Sequence, residues 1–539
     1  MEPRKDETER RRRFRHALAA ALALGTIVPG GVASAQSPVK ALTVVPSADL
    51  PNIDPVFASV VITRIFGMMV YEELFAWDSN LQPKPQMVDT WTTSPDGLAW
   101  RFTLRDRQKF HDGAPVTSAD VIASLKRWMQ KDIVGQRLGA AIAGMSAVDD
   151  RTFELKLRQP VAYTLFALGS AIGQVPFIMP AKDLEGLDPS KPLTTENGSG
   201  PFRYNPGASV SGDRVVFDKN VDYVPRSEPP DGLAGGRVAK VDRVVWKIIP
   251  DASTAATALQ RGEVDLVEQP SLDLVPLLAK SRDVHLQKLT EMANQVLLRP
   301  NALNPPFNDP RARLALAYLT DQSDILAAGF GDPQWWHPCD DYFVCGGPYG
   351  SDAGAAEYKK TNREKAKQLL AAAGYHGEKL AFVTTHTYQW IGQMSEVVAQ
   401  ELREAGVNVD LQFLDWVNVT GRLLNKDVPD KGGWNLFLTG ASGPTMHSPL
   451  TNIGTAMTCD GKNWVGWPCD ETAEKLRAAF LQANGLEAQK AAAVTLQAHL
   501  AEVQPYRVLG QYDQPVAMRA DLSGFLMSPV IVYWNIAKP

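Results

Sequence analysis

The sequence has 539 residues, is 45% hydrophobic and carries a formal net charge of −5 at pH 7. This length predicts two or three domains, because a single hydrophobic core stops growing well before it. The near-neutral balance, without a basic cluster after the first residues, excludes nucleic acid as an expected partner, and no later apolar stretch is long enough to span a bilayer.

The first 35 residues have the pattern of a secretory signal peptide. Arginines at 10–13 and 15 precede an apolar segment at 17–28, and Ala33-Ser34-Ala35 matches a signal-peptidase site. Residues 11–14 also fit a twin-arginine pattern, so the Sec and the Tat routes both stay open. The sequence therefore predicts cleavage after Ala35 and a mature chain in the periplasm.

The first half of the mature chain consists mainly of predicted strands. Apolar and polar residues alternate with the period of a half-buried strand in the segments 41–47, 99–106, 151–160, 214–220 and 241–250. A helix is predicted at 60–75, and a helix followed by a short strand at 253–269. Such a run of strands predicts a more antiparallel domain.

The second half alternates between helices and strands. One helix is predicted at 308–326, and helix-then-strand units at 362–385 and 395–416. A further strand at 432–440, helices within 471–503 and strands within 505–519 complete the chain. This alternation predicts a mostly parallel sheet.

The four cysteines form two pairs that are close in sequence, Cys339/Cys345 and Cys459/Cys469. In an oxidising compartment such pairs predict two local disulfides, each holding one loop. Neither pair has the C-x-x-C spacing of a metal site, and no histidine stands at ligand spacing beside them.

The stretch FHDGAPVTSADV at 110–121 places an imidazole next to a carboxylate, as a catalytic site would. A structural interpretation accounts for the same residues: Asp112-Gly113 forms a tight turn. Thr117 and Asp120 then form a capping box at the start of an amphipathic helix. We therefore assign His111 and Asp112 structural roles and no catalytic one.

Several segments in a fixed order carry a resemblance to a known family. They are WTTSPDGLAWRFTLRDRQKFHDGAPVTSADVIASLKRW at 91–128, GSGPFRY at 198–204, LQRGEVDLV at 259–267, NPPFNDPRARLALAYLTDQ at 304–322 and NREKAKQLLAAAGY at 362–375. The sequence resembles the family-5 extracellular solute-binding proteins, which are the peptide, oligopeptide and nickel receptors of ABC importers. Cys459/Cys469 also stand where the dipeptide receptor has a disulfide-closed loop. The similarity extends over essentially the whole mature chain.

The resemblance implies an α/β fold with two hinged lobes, the type II (cluster C-like) periplasmic binding protein fold, with an extra subdomain on the first lobe. The expected boundaries are lobe I at 36–78, 216–295 and 506–539, subdomain Ib at 79–215, and lobe II at 296–505. It further implies a monomer that needs no cofactor and delivers a small organic solute to the membrane subunits of an ABC permease. Closure of the lobes around the solute is the expected transition.

The expected site differs from that of the family's dipeptide receptors. Those receptors bind the two peptide termini through an Arg and an Asp, whose positions fall here at about His386 and at Ala441 or Ser442. Neither charge is present, and aromatic side chains with a few polar groups favour a partly aromatic ligand instead. The candidate ligand-binding residues are Trp416, His386, Tyr388, Trp390, Trp434, Ser442, Trp335, Trp336 and, on the side of lobe I, Asn294.

Two other functions are weighed against a peptide or peptide-like ligand. His386 and His447 both follow strands of one lobe and are considered as metal ligands, yet no histidines pair as H-x-H or H-x-x-x-H, so no metal site is assigned. An exported hydrolase is the alternative class, but no nucleophile elbow or zinc-protease motif occurs. Metal chelates, opines and sugars remain alternative ligands.

Overall fold

A seven-stranded mixed sheet forms the centre of the first lobe in a computed structural model that describes residues 39–58 and 60–539. The central strand Ala41–Val45 is flanked on both sides by parallel neighbours, and the outer pairings are antiparallel. In spatial order its strands are Val284–Lys288, Pro515–Arg519, Leu266–Val267, Ala41–Val45, Arg243–Lys247, Arg214–Lys219 and Phe202–Tyr204. We call the part built on this sheet lobe I.

A four-stranded antiparallel sheet forms the extra subdomain, here called subdomain Ib. Its strands in spatial order are Val88–Thr93, Ala99–Leu104, Thr152–Leu157 and Ile142–Ala147. A short hairpin of Phe75–Trp77 and Pro83–Pro85 precedes it. The more antiparallel character that the sequence predicts for the first half is confirmed by these pairings.

A six-stranded sheet forms lobe II. Its strands in spatial order are Trp336–His337, Arg507–Tyr512, Asn294–Pro300, Leu436–Ala441, Leu380–Thr385 and Val409–Leu414. Only the last three run parallel to one another, while the remaining pairings are antiparallel. The prediction of a mostly parallel sheet was wrong, because Asn294–Pro300 and Trp336–His337 run opposite to the other four strands and so make every pairing on that side of the sheet antiparallel.

Fifteen α-helices cover the sheets in the described part of the chain. Those before residue 290 are Val61–Val70, Ser118–Lys131, Ile133–Ala141, Thr164–Leu168, Ala181–Leu184, Ala252–Gln260 and Val275–Leu278. Those after it are Pro310–Leu319, Gln322–Phe330, Arg363–Ala372, Gln389–Glu404, Trp416–Leu423, Gly443–Met446, Glu471–Gln482 and Leu486–Val503. The single helix predicted at 308–326 is two helices, because Asp321 caps a second one by accepting bonds from the amides of Ser323 and Asp324.

The chain passes between the lobes at slightly different points from those predicted. Residues 507–512 lie in the sheet of lobe II, paired with Asn294–Pro300, and not in lobe I. Residues 202–204 lie in the sheet of lobe I, paired with 217–219, and not in subdomain Ib. Sequence patterns do not reveal which sheet a short strand joins, so the boundaries that the resemblance implies differ from the observed pairings at these two strands.

His111 and Asp112 have structural roles, as the sequence predicts. The His111 ring donates from Nε2 to the carbonyl oxygen of Gly200 at 3.2 Å, and burial lowers the pKa of His111 to about 4. Asp112 accepts from the amide of Ala114 and forms an ion pair with Lys182 at 2.6 Å. Asp120 accepts from the amide of Thr117 at 2.8 Å, which is the predicted capping box.

Both predicted disulfides, Cys339–Cys345 and Cys459–Cys469, are formed. They close loops of lobe II. The predicted signal peptide lies outside the described residues. Across the residues described, no helix has the length and apolar character needed to cross a membrane.

Candidate ligand-binding site

A cavity of about 430 Å³ lies between lobe I and lobe II. Val61 and Arg64 of the first helix line it from lobe I, together with Gln269 after a strand of the same lobe. The opposite wall comes from lobe II and carries most of the aromatic side chains. A cavity shared by two hinged lobes is the arrangement in which a ligand can hold the closed form together.

The lobe II wall is built where three parallel strands end. Tyr388 and Trp390 follow Leu380–Thr385, Trp416 follows Val409–Leu414, and Ser442 follows Leu436–Ala441. Because parallel strands all end at the same edge of a sheet, these loops converge on one side. Ligands of α/β proteins bind at such an edge.

Local capping explains why Trp416 is held at this edge. Asp415 accepts a hydrogen bond from the amide of Asn418 at 3.0 Å, so the helix Trp416–Leu423 begins directly after the strand. The amide of Trp416 donates to the hydroxyl of Thr387 at 3.3 Å, which links the two neighbouring loops. The backbone of Trp416 is therefore held at the cavity wall, which places its side chain there.

Two groups of aromatic rings form the wall. Tyr388 and Trp416 meet edge to face, with ring centroids 4.9 Å apart and an interplanar angle of 89°. Trp390 packs 5.7 Å from Tyr512, which stacks on Phe330 at 4.2 Å. Tyr388 is 44% exposed, so part of its ring is available to a ligand. Such rings offer apolar area with few rotatable bonds.

The polar groups of the wall centre on Asn294. Its side-chain oxygen accepts from the amide of Gly443 at 3.4 Å, and its side chain is hydrogen-bonded to Tyr512, whose pKa is raised to about 12 by burial. Ser442 is exposed and shares a hydrogen bond of 2.7 Å with Thr445. These neutral donors and acceptors orient a ligand without adding charge.

Gly440 leaves room for Trp390 and Tyr512, two rings of the same aromatic group. A Cβ at this position would lie 3.0 Å from Cη2 of Trp390 and 3.3 Å from the hydroxyl of Tyr512. Both distances are shorter than ordinary carbon contacts. Glycine is favoured here by the limited space, and not by its backbone angles, which are not left-handed.

Charged groups border the cavity at two places. Asp513 forms an ion pair with Lys288 at 2.7 Å and is almost fully buried. Arg64 donates to the carbonyl oxygen of Ala171 at 3.2 Å, and burial lowers its pKa to about 10 despite the nearby Asp132. Arg64 thus stays positively charged at neutral pH on the lobe I side of the cavity.

Five of the nine predicted site residues line this cavity, and four do not. Those that line it are Trp416, Tyr388, Trp390, Ser442 and Asn294. Asn294 lies at the start of a lobe II strand, not in lobe I as predicted.

The other four predicted residues have other packing partners. Trp434 is fully buried and donates to the carbonyl oxygen of Leu423 at 3.1 Å. His386 is exposed and stacks on Phe413, with centroids 3.8 Å apart. Trp335 is buried, and Trp336 donates to the carbonyl oxygen of Gly331 at 3.0 Å.

The cavity residues that the sequence analysis missed include Arg64, Tyr512 and Asp513. Arg64 is the charged residue of a mostly apolar first helix, and this exception was the available signal. Tyr512 and Asp513 stand at the turn between two predicted strands, where the chain crosses between lobes. Sequence alone does not mark that crossing.

The two histidines considered as metal ligands do not come together in one cluster. His447 is buried and donates from Nδ1 to the carbonyl oxygen of Pro444 at 2.7 Å, whereas His386 is exposed and stacked on Phe413. The described residues contain one group at ligand distance, Cys339, Asp341 and Cys345, and both of its sulfurs are already joined in a disulfide.

A larger cavity of about 570 Å³ lies within lobe II alone. It is lined by several carboxylates, among them Asp340, which is paired with the buried Arg507 at 2.6 Å. No residue of lobe I contributes to it among those described. A ligand bound there would make the same contacts in the open and in the closed arrangement of the lobes, so it could not favour closure. The cavity between the lobes is therefore the better candidate for the ligand site.

Comparisons with known proteins agree with this architecture. Residues 82–464 match the family model of the bacterial extracellular solute-binding proteins, family 5 Middle. The chain is 39% identical to the probable peptide ABC transporter periplasmic-binding protein y4tO of Sinorhizobium fredii, over 98% of this chain and 99% of that protein.

Two solved structures show the same fold at low sequence identity. The binding protein AgaA from A. tumefaciens R10, in complex with agropinic acid, matches 93% of this chain and 99% of its own with a TM-score of 0.76 and 22% identity. DppA from Helicobacter pylori, in complex with the peptide STSA, matches 92% and 98% with a TM-score of 0.74 and 21% identity. The two-lobed α/β fold with its extra subdomain is thereby confirmed.

Proposed function

The chain belongs to the family 5 bacterial extracellular solute-binding proteins, and we propose that its solute is a short peptide or a peptide-like, partly aromatic compound bound between the lobes. It serves an ABC transporter as the substrate-binding protein. In this proposal the solute is passed on to the permease subunits. The protein is exported as a monomer and acts without a cofactor.

One observation carries the choice of ligand. The cavity between the lobes is walled by Tyr388, Trp390, Trp416 and Tyr512, and neither His386 nor Ser442 supplies the paired charges that would bind the two ends of a dipeptide. Its volume of about 430 Å³ is within the range of small-molecule sites. A ligand with at least one ring or branched apolar group suits these walls.

Two features support a peptide-like ligand over a simple hydrocarbon. Asn294 and Ser442 offer hydrogen-bonding groups that match amides, and Arg64 offers a positive charge suited to a carboxylate. The relative from Sinorhizobium fredii is described as a peptide-transport protein. AgaA binds agropinic acid, so an opine is the second candidate ligand.

Binding would act by favouring the closed arrangement. Arg64 and Gln269 contact the ligand from lobe I, while Trp416 and Tyr388 contact it from lobe II. Only a ligand that touches both sides gains free energy from closure, and this difference shifts the population of conformers. The closed, loaded form is then the one presented to the permease.

Native mass spectrometry of the exported protein tests the proposal. The protein is purified without refolding, its intact mass is recorded, and it is denatured to release any bound compound. We expect an organic mass that fragments as a short peptide or peptide-like compound, and we expect the same compound to raise the melting temperature of emptied protein.

The outcomes separate the alternatives. A metal chelate, a sugar or an opine would contradict the proposed ligand class but leave the importer role intact. An empty protein is next titrated with short peptides in a calorimeter, and failure of a broad set of aromatic peptides also contradicts it. Recovery of a chemically altered ligand would favour the hydrolase instead.

A further inference from the structure

A second, smaller cavity lies between subdomain Ib and lobe II, apart from the cavity between lobes I and II. Its volume is about 230 Å³, and it shares no lining residue with the first cavity. Trp100, Tyr163 and Phe166 contribute from subdomain Ib and its surroundings, and Tyr349 and Phe480 contribute from lobe II. Arg137 donates to the carbonyl oxygen of the lining residue Leu450 at 3.0 Å and so joins the two parts beside the cavity.

His447 is a buried polar group within the aromatic part of this cavity, whose lining also includes Gln82, Ser448 and Gln489. The side chain lines the cavity and is only 1% exposed. Its ring lies 5.8 Å from Phe166 and 6.2 Å from Tyr349, and Tyr349 in turn meets Phe480 edge to face at 5.1 Å. A ligand entering the cavity would therefore meet an imidazole held among aromatic rings.

The hydrogen bonding of His447 fixes which nitrogen is available. Nδ1 lies 2.7 Å from the carbonyl oxygen of Pro444, and because a carbonyl only accepts, Nδ1 carries the proton. Burial lowers the pKa of His447 to about 4, so the ring is neutral at pH 7. Nε2 is then an acceptor, and it has no hydrogen-bond partner among residues 39–58 and 60–539.

Size and charge restrict what the cavity can hold. No charged residue lines it in the described chain, which disfavours an ion. A volume of about 230 Å³ is below the usual range for sites of drug-sized ligands, whereas about 150 Å³ is enough for one benzene ring in a protein interior. One aromatic ring with a small substituent therefore fits.

We propose that this cavity binds a small uncharged aromatic compound with one hydrogen-bond donor, such as a phenol, and that the donor is bound by Nε2 of His447. The aromatic walls supply apolar contact, and Nε2, which accepts from no donor of the described chain, selects for the hydroxyl group. A ligand that covers this acceptor without donating to it leaves it unpaired, which is unfavourable, so ligands that lack the donor bind less well. The site is independent of the proposed peptide-binding function.

Calorimetric titration with phenol and with toluene tests this assignment on the full mature protein. The two probes are similar in size, but only phenol has a donor. We expect phenol to bind about tenfold more tightly than toluene, which corresponds to one satisfied hydrogen bond. A crystal soaked with phenol should show the ring between Phe166 and Tyr349 with its oxygen at Nε2.

Two substitutions at His447 separate the acceptor from the local fold. In His447→Asn, the side-chain amide can still donate to Pro444 but has no atom at the place of Nε2, so the preference for phenol should disappear. In His447→Gln, an amide oxygen can reach the place of Nε2, so most of the preference should remain. Trp416→Ala, in the other cavity, should leave phenol binding unchanged.

Several results would overturn the proposal. They are equal affinities for phenol and toluene, an unchanged preference in His447→Asn, and loss of phenol binding in Trp416→Ala. The same holds if phenol fails to bind at millimolar concentration or if the crystal shows only water at Nε2. If the Asn variant does not fold, the soaked crystal of the unaltered protein and the comparison of the two probes still decide the matter.

Discussion

Replacing Trp416 with alanine is the most direct test of the cavity between the lobes. The indole is half-buried, with Tyr388 edge to face at 4.9 Å and Phe437 at 6.2 Å on the protein side. Its backbone is held independently by the cap at Asp415 and the bond to Thr387. The substitution therefore removes ligand contact while the helix that carries it can still form.

The magnitude follows from the area of the ring that a ligand covers. A ligand face that covers about 70 Å² of indole contributes about 1.8 kcal/mol at about 25 cal/mol per Å². That corresponds to roughly a twentyfold rise in Kd for Trp416→Ala. The melting temperature of the ligand-free variant should change little, because the Trp416 ring is not part of the fully buried core.

Calorimetric titration with the ligand identified by mass spectrometry measures this change. Val417→Ala is the matched control, since Val417 is the next residue on the same helix, is 77% exposed and does not line the cavity. We expect the control to bind like the unaltered protein. An unchanged Kd in a folded Trp416→Ala variant would refute the assignment of this cavity as the ligand site.

Three further changes test other parts of the reasoning. Gly440→Ala should weaken ligand binding at least tenfold, because the added Cβ pushes apart the rings of Trp390 and Tyr512. Gly421→Ala is the control: its Cβ would meet no atom within 4 Å, so this variant should bind normally in the same titration. His111→Gln can keep a donor to the same carbonyl but removes a ring whose pKa is lowered from 6.5 to about 4 on folding. Between pH 6.5 and about pH 4 the unfolded state of the unaltered protein binds a proton that the folded state does not, so acidification lowers its free energy of unfolding. Urea titrations at these two pH values should show a loss that is smaller in the variant by at most about 3 kcal/mol. Ligand affinity should be unchanged. Cys459→Ser with Cys469→Ser should lower the free energy of unfolding by about 2 to 3 kcal/mol in a urea titration, as expected for opening a loop with a separation of 10 residues, and an equal stability would show that the bridge does not constrain the unfolded chain.

The position of an aromatic residue relative to its strand explains which site predictions lie at the cavity. Tyr388 and Trp416 come after strands that end at the cavity edge. Trp434 comes before the strand Leu436–Ala441 and therefore lies towards the other end of the sheet, buried in the core. The sequence contains this distinction, because it depends only on the order of residue and strand.

Other positions depend on side-chain packing that order along the chain does not determine. His386 directly follows Leu380–Thr385, as a site residue should, yet its ring stacks on Phe413 of the neighbouring strand. Trp336 belongs to a strand whose partner is Tyr512, and its indole turns back to Gly331. The periodicity of the sequence predicts neither of these contacts, because it describes one element at a time and each contact joins two different segments.

The mixed direction of the lobe II sheet has a consequence for the binding site. The strand Asn294–Pro300 runs antiparallel to both Leu436–Ala441 and Arg507–Tyr512, so its first residue pairs with Tyr512 and its second with Ala441. A fully parallel sheet would have placed the beginning of this strand at the opposite edge. The antiparallel entry brings Asn294 to the edge where Tyr388 and Trp416 lie, and Arg507–Tyr512, which runs in the direction of the parallel strands, ends at the same edge with Tyr512 and the crossing residue Asp513. The segments that connect the lobes are thus part of the cavity wall, so a ligand bound as we propose would contact residues at the crossing between the lobes.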